Sequence, residues 1–533
     1  MRDWTSGILT LALAAGALAI RLPSLEHRPM HGDEAVHAFK FASLWQEGVY
    51  RYDPNEFHGP ALYYLTLPSA WLSPARTFAQ TTEFTYRIVP VLLGTLLVVL
   101  AWLVRDGLGT AAALAAALLT AISPAMVFYS RYYIHETPLV FFTMLLIAAA
   151  YRYAHGGKLP WALAAGASAG LVQATKETGV IAFAAMLAAV AICALWRRRE
   201  AVWTPRPRRL KASHVALAIG AALAVSVSLY SSFFTNWQGL WDSALSYRAW
   251  TGRLGNSGDH VHPWSYYLSM LVFTGSAPGP AWSEGAILVL AAVGIGAAFS
   301  GKGLEGADRG FLRFLAVYVI GVTAIYCLVP YKTPWCMLTF LHGMILLAGV
   351  GAVAVFRAAS RLPSHLRMPA RALWAALLLA ALLHLGRQAY LASFRFDADR
   401  RNPYAYAQPV ADVVRLAMRA KEISDLAPDG PDMLIQVFST NHYYWPLPWY
   451  LRSFNRVGYF TSMDQAPDGS IVIAMPEAQA WLERRLPGSY HVEYYGLRPG
   501  VVLMTCIRGP LWDALIRRRA QGADDVTAVQ QER

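Results

Sequence analysis

Long apolar runs recur along most of this chain and constrain its fold more than any other feature. A run of roughly 17 to 25 apolar residues can cross about 30 Å of hydrocarbon as a helix. Hydrophobic residues make up 56% of the 533 residues and charged residues only 15%, which leaves more apolar surface than one soluble core can bury. The pattern predicts an α-helical polytopic membrane protein with about eleven transmembrane helices. The predicted spans are residues 4–22, 84–104, 108–126, 136–153, 160–175, 178–196, 214–234, 284–300, 311–329, 336–356 and 372–391.

Two apolar segments have alternative interpretations. Residues 4–22 contain LALAAGALA, whose small residues are typical of a signal-peptide cleavage site, but the run lacks a clearly basic start and many spans follow it. Residues 264–282 begin as an aromatic apolar stretch and are broken by GSAPGP. We interpret this segment as re-entrant or interfacial, because a full span here would invert the sidedness of everything downstream.

The basic residues indicate the orientation of the chain. The net charge is +13, and it is concentrated in loops such as residues 197–211 and 356–371, which the positive-inside rule places in the cytoplasm. A charge distributed in this way does not indicate nucleic-acid binding. The N-terminus is therefore predicted inside, and the chain after residue 391 outside, in a multi-pass protein of the plasma or inner membrane.

The composition changes after residue 391, and three regions are predicted. Residues 1–391 form the transmembrane domain, residues 392–515 a small extracytoplasmic α/β domain, and residues 516–533 a polar, disordered tail. The α/β domain is predicted from helical patterns at 410–423 and 478–486 and from strands at 433–439, 470–476 and 501–507. Four cysteines show no paired spacing, so neither a disulfide framework nor a zinc motif is supported.

Ionisable residues are concentrated in the loops that are predicted to lie outside. Such groups are costly at membrane depth and normally face a wet cavity or a partner, which makes each a functional candidate. The first outer loop contains HGDEAVH, with two carboxylates between two histidines. The candidates are Asp33, Glu34, His31, His37 and His58 in the first loop, Arg131, His135 and Glu136 in the second, Lys176 and Glu177 in the third, and Tyr331 and Lys332 in the fifth.

Each candidate also has a structural interpretation. Asp33 and Glu34 can be the N-cap and first-turn acid of a helix, and Arg131 and Lys332 can be interface anchors. Lys176 can simply neutralise its neighbour Glu177.

The remaining aromatic and histidine motifs are weaker signals. His260 and His262 form one HxH without a third ligand, so surface histidines are favoured over a metal site. The segment YYWPLPWYLR, residues 443–452, is more often packing against the membrane surface than a ligand site.

The outer residues are more informative together than singly. Carboxylates and several cations lie on one side of a membrane, beside a wide apolar surface. A lipid-linked phosphosugar needs all three, because its tail lies in the bilayer, its phosphate binds Arg and Lys, and its anomeric carbon is attacked by a hydroxyl that a carboxylate can deprotonate. Cations that stabilise the departing phosphate would supply much of the catalysis.

The motifs resemble those of a known superfamily. The DE pair of HGDEAVHA after the first span, SRYYIHE, KETG, YKTPW and YWPLPWYLR, with an outer C-terminal domain, resemble the GT-C glycosyltransferases over about residues 1–510. The chain is similar to relatives of protein O-mannosyltransferases and of the lipid A aminoarabinose transferase. Within these it resembles a prokaryotic branch associated with flippase activity in surface glycosylation.

The resemblance implies roles for individual residues. Asp33 would be the base or acceptor-orienting group, with Glu34 shaping the site beside it. Arg131, Lys176 and Lys332 would bind the donor phosphate. His58, His135, Glu136, Glu177 and Tyr331 would line the substrate cavity.

The resemblance also implies partners, and it leaves the metal requirement open. The partners would be a polyprenyl-phosphate-linked sugar, the bilayer and an extracytoplasmic acceptor that is a protein, a lipid or a glycan. Some members hold a divalent ion near the acidic pair and others do not need one, and here His31 and His37 are the weak candidates for ligands.

Two other functions compete with the transferase. A non-catalytic lipid-linked oligosaccharide transporter or flippase-associated protein would carry charges along a path through its spans, whereas here they cluster at the outer ends. A scaffold whose outer domain binds a partner would leave the cluster around Asp33 and Arg131 without a purpose. An inverting glycosyltransferase is the favoured interpretation.

Overall fold

A bundle of helices, followed by a small α/β region, makes up the chain. The computed structural model describes residues 3–55, 58–199, 210–253, 260–275, 278–439 and 443–531. The helices are α1 (Asp3–Arg21), α2 (Gly32–Glu47), α3 (Ala61–Leu72), α4 (Glu83–Leu103), α5 (Arg105–Leu108), α6 (Thr110–Ile122), α7 (Pro124–Tyr129), α8 (Glu136–Gly156), α9 (Leu159–Thr175), α10 (Gly179–Arg199), α11 (Ala212–Tyr230), α12 (Gln238–Arg253), α13 (Tyr266–Val272), α14 (Gly285–Ser300), α15 (Arg309–Leu328), α16 (Leu338–Ser360), α17 (Ser364–Tyr390), α18 (Asp412–Ser424), α19 (Leu447–Tyr450), α20 (Gln479–Arg485) and α21 (Gly509–Gln531). The strands are β1 (Thr274–Gly275), β2 (Ala281–Trp282), β3 (Ile435–Phe438), β4 (Val457–Phe460), β5 (Ile471–Ala474), β6 (Tyr490–Arg498) and β7 (Val501–Arg508).

Every predicted span coincides with a helix, but the helices differ in length. Among the described residues, eight helices are long and apolar enough to cross a membrane. These are α1, α4, α8, α10, α11, α15, α16 and α17. The other three predicted spans are the shorter helices α6, α9 and α14, of 13, 17 and 16 residues.

Proline explains the shortest of these helices. The span predicted at 108–126 is interrupted at Ser123, because Pro124 starts a new helix, α7, at its first turn. Proline is tolerated at a helix start, where its missing N–H is not needed, and it interrupts a continuing helix. The segment 264–282 forms the seven-residue helix α13 and the short β1–β2 hairpin, so it is not a single spanning helix.

The main core lies between the helices of the bundle. Side chains of α4, α6, α8, α14, α15 and α16 pack there, and close backbone approaches at small residues bring the helices together. The clearest case is Gly351 of α16, where an added Cβ would lie 1.9 Å from the carbonyl oxygen of Leu290 on α14. The bundle holds the loops at one end in fixed positions, and the candidate residues are in those loops.

The C-terminal region contains a five-stranded mixed sheet in the order β4-β3-β5-β7-β6. β3 pairs in parallel with β4 and β5, while β7 pairs antiparallel with β5 and β6. Helix α18 lies against this sheet with Val413, Leu416 and Ile423 buried. The strands predicted at 433–439, 470–476 and 501–507 correspond to β3, β5 and β7, whereas β4 and β6 are additional.

The end of the chain differs from the prediction. Residues 516–533 were expected to be disordered because they are polar, but α21 continues to Gln531. Its first turns pack on the sheet region, where Leu515 is buried, and tertiary packing of this kind supplies most of the stability of a helix.

Candidate functional site

Helix α2 begins within HGDEAVH and places its two carboxylates in different surroundings. His31 is the N-cap, and its Nδ1 accepts a hydrogen bond from the backbone N–H of Asp33 at 3.1 Å. The His31 backbone N–H donates to Glu34 Oε2 at 3.0 Å, which completes a capping box. The alternative of a first-turn structural acid therefore applies to Glu34.

Glu34 is fully buried and bound by cations. Arg87 of α4 donates to its two oxygens at 2.8 and 2.7 Å, Arg28 lies 3.4 Å from Oε1, and the N–H of Tyr133 donates at 2.9 Å. Burial alone would raise the pKa of this carboxyl, but Arg87 and Arg28 outweigh it and hold the pKa at about 2. Both oxygens of Glu34 are thus occupied, which fits the predicted role of shaping the site beside Asp33 but gives no support to a direct part in catalysis.

Asp33 has the opposite environment. Its side chain is half-buried, and no hydrogen bond or ion pair engages its carboxylate within the described residues. An unpaired carboxylate beside an occupied one is free to accept a proton from a substrate hydroxyl. The structure thus separates the pair into a structural residue, Glu34, and a chemically available residue, Asp33.

Lys176 lies at the end of α9 on the same side of the bundle. Its ammonium forms a buried ion pair with Glu136 at the start of α8. Although burial opposes the charge, Glu136 raises the pKa of Lys176 above its usual range. The neutralising partner of Lys176 is therefore Glu136 and not its neighbour Glu177.

Lys332 is a buried cation with a different set of partners. Its ammonium donates to the carbonyl oxygens of His262, at 3.2 Å, and Val329. No carboxylate pairs with it in the described part of the chain, and burial lowers its pKa. A cation held only by dipoles has unsatisfied charge, which an anionic ligand can neutralise.

A chain of contacts connects Lys332 to the Asp33 region. The backbone N–H of Lys332 donates to the His260 carbonyl at 2.8 Å, and His260 Nδ1 lies 2.8 Å from the Tyr406 hydroxyl. The Tyr406 carbonyl in turn lies 3.1 Å from His31 Nε2. The Tyr331 ring lies near that of His260, tilted by 49°, with ring centroids 5.0 Å apart. The loop that contains His260 and His262 therefore holds Lys332 in place.

Arg131 does not present its guanidinium to a ligand. Its two terminal nitrogens donate to the backbone carbonyls of Arg21 at 2.6 Å, Pro23 at 2.7 Å and Ser24 at 3.2 Å. The side chain is buried and also lies over the Phe394 ring. These contacts engage the guanidinium, so neither the phosphate-binding role predicted for Arg131 nor the alternative of an interface anchor is supported by this arrangement. Arg131 fixes the chain between α1 and α2.

Three histidine rings cluster beside α2. His37 and His135 have ring centroids 4.6 Å apart, and His58 lies 5.2 Å from His135 and 6.4 Å from His37. Burial lowers the pKa of His37 to about 3 and that of His135 well below its usual range, so both rings are neutral near pH 7. Asp33 raises and Lys176 lowers the pKa of His37 through their charges, so both candidates lie within electrostatic range of this ring.

Glu177 connects the histidine cluster to Tyr52. His58 Nδ1 lies 2.8 Å from Glu177 Oε2, and the Tyr52 hydroxyl donates to Glu177 Oε1 at 2.8 Å. Burial raises the pKa of Glu177, yet His58 and these hydrogen bonds outweigh it and keep the pKa below the usual value. Gly59 permits this packing, because an added Cβ there would lie 2.2 Å from the Ala174 carbonyl oxygen.

The residues present do not form a metal-binding set. No group of three or more His, Cys, Asp or Glu residues suited to an ion occurs within the described ranges. His31 uses both ring nitrogens in hydrogen bonds, and His37 Nδ1 faces the Tyr63 hydroxyl at 3.1 Å. A metal at His31 or His37 is therefore not favoured by these hydrogen bonds.

The segment 443–452 of the C-terminal region lies over the start of α2. The Met30 N–H donates to the Tyr450 hydroxyl at 2.7 Å, Trp449 Nε1 donates to Glu83 at 2.9 Å, and Arg452 donates to the Thr81 carbonyl at 2.6 Å. An added Cβ on Gly32 would lie 3.6 Å from the Cβ of Trp445. This aromatic segment packs against the protein next to Asp33 rather than only against the membrane surface.

Two arginines that contact Glu34 were not predicted as site residues from the sequence. Arg87 lies inside a predicted span, and Arg28 is in the short connection before HGDEAVH. A buried arginine within an apolar run is itself a signal of a partner carboxylate, and Arg87 could have been found in this way. Arg28 carries no comparable signal.

Comparison with known proteins agrees with this architecture. The sequence model of the dolichyl-phosphate-mannose-protein mannosyltransferase family matches residues 60–238. No curated protein sequence matches the chain. The structure is similar to ArnT from Cupriavidus metallidurans bound to undecaprenyl phosphate, with a TM-score of 0.63 and 15% identity over 94% of this chain and 98% of that one. It is also similar to the archaeal oligosaccharyltransferase AglB from Archaeoglobus fulgidus in complex with an inhibitory peptide and a dolichol-phosphate, with a TM-score of 0.56 and 13% identity over 90% of this chain and 70% of that one.

The chain has the GT-C fold. The match to the mannosyltransferase family over residues 60–238 indicates a membrane glycosyltransferase, and the solved structures agree with it in fold. The resemblance to this superfamily is thereby confirmed, whereas the assignment to the flippase-associated branch stays a prediction.

Proposed function

We propose that this protein transfers a sugar from a polyprenyl-phosphate donor to an extracytoplasmic acceptor, with inversion at the anomeric carbon and Asp33 as the base. The observation that carries the proposal is the contrast between the free carboxylate of Asp33 and the occupied carboxylate of Glu34. ArnT, whose structure was determined with undecaprenyl phosphate, supports a lipid-phosphate donor by analogy of fold. The acceptor is a protein, a lipid or a glycan.

The proposed reaction needs one base and one phosphate site. Asp33 takes the proton of the acceptor hydroxyl as the oxygen attacks the anomeric carbon. The bond from that carbon to the phosphate oxygen breaks, and its electron pair leaves with the polyprenyl phosphate. The proton on Asp33 passes to water, which its half-exposed position allows.

Lys332 and Lys176 are the proposed phosphate ligands, and they differ in availability. Lys332 has no carboxylate partner in the described residues, so a phosphate would neutralise it directly. Lys176 is already paired with Glu136, and a phosphate would share its ammonium. Buried charge-assisted hydrogen bonds of this kind contribute about 1.5–3 kcal/mol each. Arg131 is assigned a positioning role instead.

The C-terminal region is proposed to shape the acceptor site. Its aromatic segment 443–452 packs next to Gly32, one residue before Asp33. An acceptor that delivers a hydroxyl to Asp33 would therefore contact Trp445 and its neighbours. Residues 392–515 would select the acceptor, while the transmembrane region performs the transfer.

The decisive experiment compares Asp33→Asn with Asp53→Asn. Asn keeps the shape of the side chain but removes the proton-accepting charge, so single-turnover transfer should fall by about 10²- to 10⁴-fold, while donor-lipid binding stays near that of the unmodified protein. Asp53 is a carboxylate of the same loop that accepts the Asn55 N–H at 2.9 Å, and its substitution should leave transfer unchanged. Transfer at the unmodified rate by Asp33→Asn would refute the assignment, and donor binding without any transfer by the unmodified protein would favour the transporter alternative.

A further inference from the structure

Helix α12 presents an apolar, tryptophan-rich face that is largely exposed within the described residues. Trp237, just before the helix, is 57% exposed, Trp241 is 72% exposed and Leu245 is 51% exposed. These positions are four residues apart, so they lie on one side of the helix. A helix that faced only water would be polar there, and an exposed apolar patch indicates a partner.

The position of α12 indicates what this partner is. The helix follows α11, a candidate span that ends at Tyr230, after residues 231–237. Two of the connecting residues, Phe233 and Phe234, are also more than half exposed. The aromatic face is thus continuous with the apolar, exposed surface of α11, including Leu223, which in a spanning helix faces lipid. Tryptophan and phenylalanine at such a position are typical of the membrane–water interface.

The opposite side of α12 contacts the candidate site. The Tyr247 hydroxyl donates to Gln173 Oε1 at 2.9 Å, and Ser246 is buried and hydrogen-bonds to Tyr52. Tyr52 in turn donates to Glu177, which is paired with His58. One face of α12 is therefore built into the protein beside the third outer loop, and the other face is left to the surroundings.

We infer that α12 is an interfacial helix whose face Trp237–Trp241–Leu245 inserts into the bilayer leaflet on the side of Asp33. The helix is absent from the candidate spans of the described residues, so it lies along the membrane surface and does not cross it. Arg248, exposed at the end of the same side, extends its charge toward the head groups.

A consequence rests on the proposed function. A polyprenyl phosphate keeps its tail in the leaflet while its phosphate reaches the loops of Lys176 and Lys332. A lipid-embedded helix that contacts Gln173 and Tyr52 lies next to that route, so α12 would form one wall of the donor's path from the bilayer.

Photocrosslinking of the full chain in nanodiscs of phosphatidylethanolamine and phosphatidylglycerol tests the insertion. Benzoylphenylalanine is introduced at position 241, at position 223 of α11 as the lipid-facing control, and at position 415, where Arg415 has a 73% exposed side chain, as the water-facing control. We expect mass spectrometry to detect phospholipid adducts at positions 241 and 223 and no phospholipid adduct at position 415. An adduct at 241 with a second copy of the chain, or no lipid adduct at 241 while 223 reacts, would overturn the inference.

A second measurement tests the donor path separately. Trp241→Ser should reduce transfer from a long-chain donor in the bilayer more than transfer from a short-chain, water-soluble donor. An equal reduction for both donors would contradict the role of α12 in the donor path, but it would not contradict the interfacial position of the helix. Absence of transfer from either donor by the unmodified protein would instead contradict the proposed function, and the crosslinking result does not depend on it.

Discussion

Asp33 and Glu34 are adjacent, yet their environments give them different tasks. Glu34 accepts hydrogen bonds from Arg87 and from the N–H groups of His31 and Tyr133. It therefore joins α2 to α4 and to the second outer loop. Asp33 projects from the same helical turn, and the rigid neighbour fixes its position. A base held by a structural partner loses little freedom when the substrate binds.

Glu34→Gln should impair stability. The change leaves Arg87 and Arg28 buried without a counter-charge, and breaking a buried ion pair costs about 3–5 kcal/mol of the free energy of unfolding. Because the folded pKa of Glu34 is about 2 and its usual value is 4.5, its contribution is complete above the usual value and is lost as the pH falls from there toward 2. Thermal unfolding in detergent from pH 3 to 7 measures both effects. Equal stability of Glu34→Gln and the unmodified protein at pH 7 would contradict this account.

Lys332 should give donor binding a distinctive pH dependence. Burial lowers its pKa from 10.5, so the ammonium loses its proton, and the phosphate its partner, at a lower pH than for an ordinary lysine. Donor affinity should therefore decrease as the pH rises toward 10.5. Lys332→Arg keeps the charge and should extend binding to higher pH, while Lys332→Ala should weaken binding at every pH.

Titration of donor binding from pH 7 to 10.5 measures this difference, and Lys421→Arg is the matched control. Lys421 is an exposed lysine of α18 whose partner is Asp425, and its substitution should leave the alkaline decrease unchanged. If Lys332→Arg followed the same alkaline decrease as the unmodified protein, another group would be responsible.

At the residue scale, the sequence identified the polar loops but not the pairing within them. Asp33, Lys176 and Lys332 could be predicted as site residues, because charged groups near a membrane are costly and can be recognised in a sequence beside apolar runs. The partners do not follow, because Glu34 meets Arg87 across 53 residues and Lys176 meets Glu136 across 40. Such distant contacts are set by helix packing, so the occupied residues Glu34 and Arg131 could not be distinguished from the free ones.

At the scale of elements, apolar length predicted the helices well, and local backbone chemistry explains the exceptions. The interruption between α6 and α7 occurs where Ser123 caps a helix that begins with Pro124. β6 was missed because its residues alternate with only partial burial, and β4 because it is a four-residue edge strand. The buried strands β3 and β5 were found because all four residues of each are apolar or enclosed.

The aromatic segment 443–452 is the element through which the C-terminal region should affect acceptor use. Tyr450→Phe removes the acceptor of the Met30 N–H, and an unsatisfied group of this kind costs about 1–3 kcal/mol. We expect the segment to loosen over α2 and the KM for the acceptor to rise, with donor binding unchanged. Tyr494→Phe, on an exposed tyrosine of β6, is the control. An unchanged acceptor KM in Tyr450→Phe would separate this segment from acceptor binding.

At the scale of the whole molecule, contacts between distant segments determine which ends of the spans lie together. The Tyr450–Met30 and Tyr406–His31 contacts bring the C-terminal region to the end of the bundle where α2 begins. Helix α17 starts at Ser364 and ends next to that region, so its first residues lie at the opposite end. Helix α10 likewise starts near Lys176 and ends at Arg199, away from the site.

Arg199 and Ser364, which belong to the two basic segments, therefore lie at the membrane face opposite to Asp33. The positive-inside rule makes that face cytoplasmic, and the site and the C-terminal region are predicted outside. In intact cells, Asp429→Cys, at an exposed position of the C-terminal region, should react with a membrane-impermeant maleimide. Ser364→Cys, exposed at the start of α17, should react only after permeabilisation. The four native cysteines are buried or half-buried, so the unmodified protein provides the background. Labelling of Ser364→Cys but not Asp429→Cys in intact cells would place Asp33 in the cytoplasm, where a donor presented in the outer leaflet could not reach it.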